Sequence, residues 1–190
     1  ILAIQSRMGI GDTVIFLPFI KAISKKFQLP VSLLVKKNSR AKEFLIYTNY
    51  IDEIIHLERD NKVNQKHDGL KGFFKLASDL KKYNFDKVFI FNSSLRYNLI
   101  SRLAGIKEIF QYPLFEKQNQ HITEPAKNLI KKYLDCETSD NPEIQIDNDL
   151  VQESIIKYNI NNDDLNILLG IGGSGPTKRI PSKTFLKVME

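Results

Sequence analysis

Short apolar runs alternate with longer amphipathic stretches along most of the chain, and this alternation constrains the fold more than any other feature. The runs "ILAIQ" (1–5), "VSLLV" (31–35), "EIIHL" (53–57), "KVFIF" (87–91) and "EIFQY" (108–112) read as strands. Helical spacing follows each of them, at about 12–27, 38–48, 69–83, 94–104 and 123–135. Continuous runs of Val, Ile and Phe suit strands buried on both faces, and the repeating βα order predicts an α/β fold with a mainly parallel, doubly wound sheet. Right-handed crossovers then place helices on both faces and the functional edge at the strands' C-terminal ends. Gly11, Asp12 and the residues after Phe91 fall on that edge.

The character of the chain changes near Asp135. The stretch "DCETSDNPEIQIDNDL" is acidic and turn-rich, a helical pattern covers 149–158, and "NINNDD" repeats the polar theme. A fresh apolar run, "LNILLGI" (165–171), is expected to be a strand, followed by the glycine-rich turn "GGSGPTKR" and a helix starting near Pro181. The expected organisation is a first domain over 1–140, a connector over 141–164, and the first βα unit of a second domain over 165–190. With no initiator methionine and a last residue inside a predicted helix, the sequence reads as a piece of a longer chain.

The 190 residues are 42% hydrophobic, enough for an ordinary globular core. Cys136 is the single cysteine, which excludes an internal disulfide and suits a reducing, cytoplasmic compartment. No apolar run approaches the roughly 20 residues needed to span a bilayer, and the opening residues lack the basic start of a signal peptide. The net charge of +6 would suit an anionic partner. Three of the four Lys-Lys pairs, at 25, 81 and 131, fall near the ends of predicted helices, where cations favour the macrodipole. The pair at 36 follows a strand instead. No clustered arginines or aromatic RNA-binding motif point to nucleic acid. His56, His67 and His121 lie in a strand, a charged loop and just before a helix, without ligand spacing, so no metal site is expected.

Three constellations could carry chemistry. Asp12 stands at the start of the first helix, where the helix field favours a carboxylate; it can cap the helix or accept a proton from a hydroxyl. The "GIG" before it is no dinucleotide fingerprint, because Val14 occupies the position of the third glycine and only lysines follow the second strand. The later "GIGGSGPTKRIP" can either cradle a phosphate, through the amides around Gly172 to Gly175, the hydroxyls of Ser174 and Thr177 and the charge of Lys178, or be a flexible solvated loop. In "FNSSLRYNLISRLAG", Asn92, Ser93, Ser94 and Arg96 stand at the functional edge, where they could hold a polyhydroxylated or anionic ligand; Ser93 or Ser94 could equally cap the helix.

Taken together, "ILAIQSRMGIGDTVIFLPFIKAI", "SSLRYNLISRLAGI" and "GGSGPTKRIPSKTF" resemble glycosyltransferase family 9, the lipopolysaccharide heptosyltransferase family. The first matches that family's opening strand, Gly-Asp turn and proline-bearing helix, with Pro18. The third matches its Lys-Arg-Trp-Pro donor loop, with Ile180 in place of the tryptophan. The resemblance implies a GT-B architecture, in which this chain supplies a Rossmann-like N-terminal half and the start of the second domain. It implies metal-independent, inverting transfer of a sugar, heptose being the commonest cargo, from a nucleotide-diphosphate donor such as ADP-heptose to a lipid-linked anionic saccharide at the inner membrane surface. No cofactor beyond that donor is implied, and the resemblance allows peripheral association of the protein with the cytoplasmic face of that membrane. Asp12 takes the role of general base, Gly173, Ser174 and Lys178 hold the donor diphosphate, and Asn92 and Arg96 face the acceptor. The family's later Asp-Ser-Gly-Pro stretch is not in this sequence, so the fragment alone is expected to be inactive. The competing expectation is a non-catalytic Rossmann-like domain that binds an anionic or phosphorylated ligand. A nicotinamide-dependent oxidoreductase fits the glycine spacing less well.

Overall fold

The computed structural model describes residues 1–59, 65–114, 121–161, 163–170, 172 and 179–189. The chain divides into two compact units, Ile1–Ile146 and Asp147–Glu190.

The first unit runs β1 (Leu2–Gln5), α1 (Ile10–Phe27), β2 (Val31–Lys36), α2 (Ala41–Phe44), β3 (Ile51–Leu57), α3 (Gly69–Lys81), β4 (Lys87–Ile90), α4 (Leu95–Leu103), β5 (Glu108–Gln111) and α5 (Thr123–Leu134). All five strands lie where the apolar runs predict them. The helix expected over 38–48 does not form as one piece: a 3-10 turn, Lys37–Ser39, is followed by the single turn of α2. Arg40 between them has φ 53°, a left-handed conformation that interrupts a right-handed helix.

The strands form one parallel sheet in the order β3-β2-β1-β4-β5. Because side chains alternate across a strand, each contributes to two cores. Ala3, Leu33, Val35, Phe89 and Phe91 pack against Phe16, Ile20, Leu129 and Ile130 of α1 and α5. Leu2, Ile4, Leu34, Val88 and Ile90 pack against Leu76, Leu80, Tyr97 and Ile100 of α3 and α4. Pro18 cannot donate to the Val14 carbonyl, yet α1 continues through it. Leu17, Phe19 and Ile20 beside it are completely buried, and that packing holds the helix across the gap.

His67 is not solvated, as a charged loop would suggest, but buried. Its backbone N–H donates to the Glu58 carbonyl at 2.8 Å, and its Nδ1 accepts from the Glu58 N–H at 3.0 Å. The neutral ring therefore carries its proton on Nε2, 3.5 Å from Asp79 Oδ2. Asp79 also pairs with Lys66 at 2.8 Å, Lys82 at 3.2 Å and Lys75 at 3.3 Å. The His67 main chain lies against Gly72 of α3, where an added Cβ would stand 2.1 Å from the His67 carbonyl carbon.

In the second unit, α6 (Asn148–Lys157) is capped by the Asp147 carboxylate, which accepts from the Asp149 N–H at 2.7 Å, and α7 (Ser182–Met189) starts just after Pro181. The strand expected over 165–171 is absent from 165–170, and Leu165 and Leu168 are exposed. A parallel strand is held by a neighbour's peptide groups, and the described residues of this unit include no other strand to supply them.

Two outcomes follow for the first unit. Gly72→Ala should lower stability by about 1–3 kcal/mol through overpacking, less up to about 1 kcal/mol of helix propensity regained; denaturant unfolding measures it. Burial holds His67 below its ordinary 6.5, the hydrogen bond to Asp79 opposing and Lys66 reinforcing it, so the unfolded chain takes up a proton there first and stability falls as pH drops through 6.5. Partial burial alone would raise Asp79, but hydrogen bonds from Lys66, Lys82, Lys75 and His67 outweigh it and hold the carboxyl well below its ordinary 3.8. Its contribution is thus full above 3.8 and lost in stronger acid. His67→Gln should flatten the stability profile between about pH 7 and pH 5 and leave the more acidic step in place.

Candidate active site

The chain builds β2 and β3 on one side of β1, then returns to add β4 and β5 on the other. Loops leaving the C-terminal ends of β1 and β4 therefore diverge to opposite faces, and a crevice opens between them. Ser6 to Gly9 form one lip, and Phe91 to Ser94 the other.

Asp12 sits at the third position of α1, beside this crevice. The helix is capped by Gly9 with no side-chain hydrogen bond, so Asp12 does not act as the cap. Its carboxylate is half-buried, and among the described residues it has no hydrogen-bond or ion-pair partner. Its main-chain carbonyl is held by Gln5 Nε2 at 3.1 Å, which fixes the first turn of α1 to the end of β1. The N-terminal amides of the helix favour negative charge there.

The two glycines differ in kind. Gly9 has φ 103° and ψ 163°, a region reserved for glycine. At Gly11 an added Cβ would meet nothing within 4 Å, so the first turn lies open.

Asn92 bridges the crevice lips. Its Nδ2 donates to Ser6 Oγ at 3.2 Å and its Oδ1 accepts from the Ser94 N–H at 2.9 Å. Gln111 of β5 fixes the same loop, donating from Nε2 to the carbonyls of Asn92 and Ser94, each at 3.0 Å. Asn92 thus sits at the site and shapes it.

Arg96 is engaged elsewhere. Its guanidinium donates to the His67 carbonyl at 2.8 Å and to the Gly69 carbonyl at 3.2 Å, and it lies over the Phe73 ring at 5.3 Å. Burial lowers its pKa, and the nearby Arg59 adds to the effect. It holds the start of α3 to the start of α4. Gly173, Ser174 and Lys178 lie outside the described residues.

A second feature of this edge escaped the motif reading. Met8, Lys36, Lys37, Asn38, Leu57, Arg59 and Gln65 line a cleft of about 300 Å³ where β1, β2 and β3 end. Among the described residues no carboxylate lines it, so its three cations suit an anion. The signal was the Lys-Lys pair that follows a strand instead of closing a helix. Among the described residues no group of His, Cys, Asp and Glu could hold a metal ion, and no described helix is long and apolar enough to cross a membrane.

A doubly wound, Rossmann-like α/β domain with an unpaired carboxylate at its switch point is the class these features define. Among solved structures, a family 9 glycosyl transferase from Veillonella parvula superposes with a TM-score of 0.70 at 17% identity, over 98% of this chain and 58% of that one. The E. coli ADP-heptose lps heptosyltransferase II gives 0.58 at 11% identity, over 85% of this chain and 51% of its own. The E. coli heptosyltransferase WaaC, solved with ADP, gives 0.57 at 15% identity, over 100% of this chain and 63% of its own. The chain has the fold of these glycosyltransferases and spans between 51% and 63% of their lengths. No protein-family model and no curated protein matches it in sequence.

Gly9→Ala should cost about 1–3 kcal/mol from backbone strain, whereas Gly11→Ala should leave stability unchanged or raise it by up to about 1 kcal/mol. Thermal unfolding of the two variants side by side checks the contrast.

Proposed function

We propose that the chain is the N-terminal, acceptor-binding part of a family 9 glycosyltransferase, with Asp12 as its general base. The observation that carries this reading is the Asp12 carboxylate: half-buried at the switch-point crevice, free of the capping bond, and beside an open first turn. The donor is a nucleotide-diphosphate sugar, with ADP-heptose favoured because the structural neighbours include an ADP-heptose transferase and a heptosyltransferase solved with ADP. The acceptor is an anionic, lipid-linked saccharide of the lipopolysaccharide core, met at the cytoplasmic face of the inner membrane.

In the proposed step, an acceptor hydroxyl gives its proton to Asp12 while its oxygen bonds to the anomeric carbon. The bond from that carbon to the diphosphate breaks on the opposite face, the electron pair leaves with the diphosphate, and configuration inverts. The family resemblance assigns Gly173, Ser174 and Lys178 to the departing charge and requires no metal. Asn92 keeps the crevice lips in register. Arg96 becomes a positioning residue for the β3–α3 turn, and the acceptor's anionic groups are taken by Lys36, Lys37 and Arg59 instead.

In a polypeptide carrying this chain together with the donor half, Asp12→Asn should reduce transfer by about 10²–10⁴-fold and leave thermal stability intact. Activity close to the parent's would remove the base assignment and favour a domain that only binds an anionic ligand, which the basic cleft would also serve. Lys36→Glu combined with Lys37→Glu should raise the KM for a phosphorylated acceptor by about tenfold or more, each charge-assisted hydrogen bond being worth about 1.5–3 kcal/mol. kcat should change little.

A further inference from the structure

We propose that the outer face of α3 and α4 is a membrane-docking surface that seats on anionic lipid. Leu70 and Phe74, one turn apart on α3, are 79% and 61% exposed. Along α4, Leu95, Leu99 and Leu103 are exposed as well. The buried sides of both helices already face the sheet through Leu76, Leu80, Tyr97 and Ile100. These outward residues therefore form a second apolar set that the core does not use. The Arg96 guanidinium over the Phe73 ring ties α4 to α3, and the two helices pack against each other.

The charge around this apolar set selects the partner. Lys71, Lys75 and Lys81 stand on α3 and Arg102 on α4, all exposed. Asp79 is the one carboxylate within the two helices, and it is already occupied by Lys66, Lys75, Lys82 and His67. A protein partner for such a face would have to bring both apolar groups and a surplus of carboxylates. A bilayer with anionic headgroups supplies both at once: acyl chains receive the Leu and Phe side chains, and headgroup phosphates meet the ammonium groups. Lysine stems can lie along the apolar ridge while their charges reach the headgroup layer. Both helices begin at the carboxyl edge of the sheet, the edge at which Asp12 also stands. That last point deepens the transferase reading and rests on it, because a lipid-linked acceptor would then arrive from the docked side. The surface itself rests on the exposed residues alone.

The test is sedimentation of the full chain with vesicles of phosphatidylcholine, with and without phosphatidylglycerol. Binding is expected to the anionic vesicles, and it should fall at about 1 M salt, where the screening length shrinks to about 3 Å. Leu70→Asp combined with Phe74→Asp should weaken it at least tenfold with an unchanged circular dichroism spectrum and melting temperature. Lys71→Glu combined with Lys81→Glu should weaken binding on the anionic vesicles. The absence of vesicle binding, or binding indifferent to the Leu70 and Phe74 substitutions, would overturn the proposal. So would a dimer that the same substitutions dissociate, since that would assign the face to a second copy. Asp12→Asn should bind vesicles like the parent, so that a failed base assignment and a failed docking surface give different results.

Discussion

The return of the chain to β1 is the constraint on which the rest depends. β1 is the central strand, paired with β2 through Leu2 to Gln5 and with β4 through Leu2 to Ile4. A right-handed crossover from β3 can bring β4 only to the free side of β1 when its helix covers the opposite face of the sheet. That requirement puts α1 and α5 on one face and α3 and α4 on the other. It also makes the loops after β1 and β4 part company. The crevice with Asp12 at its rim is thus a consequence of strand order, not of any single residue.

Polar side chains at this edge mostly hold main chain in place. Asn92 joins the two lips, Gln5 ties α1 to β1, Gln111 fixes the loop after β4, and Arg96 binds the turn that His67 shapes. Buried main-chain carbonyls and amides need partners, and loops between parallel strands cannot find them in the sheet. Side chains rich in donors supply them. Against this background the Asp12 carboxylate stands apart, because it holds none of the described neighbouring groups.

Charge separates the same edge into regions of different use. Lys36, Lys37 and Arg59 gather around a cleft with no carboxylate among its described lining residues, whereas Lys66, Lys75 and Lys82 share the Asp79 carboxylate. Net charge alone could not distinguish these roles. The lysine pair at 36 differs from the pairs at 25, 81 and 131 in following a strand, and the structure turns that difference into a cation-lined cleft.

The sequence by itself determined the five strands, four of the five helices expected to follow them and the α/β class, because continuous apolar runs and 3.6-residue apolar spacing are local properties that each segment carries alone. It also determined that Asp12 stands at a helix start, and it carried the family resemblance that the fold comparison extends. Only the tertiary structure decided that His67 is buried rather than solvated, that Arg96 grips the β3–α3 turn rather than a ligand, and that 165–170 remains unpaired despite its strand-like composition. Each of those outcomes depends on what lies opposite a residue in space. Hydrogen-bond partners for a guanidinium, a buried imidazole or a lone strand come from segments distant in sequence, and no local pattern encodes their arrival.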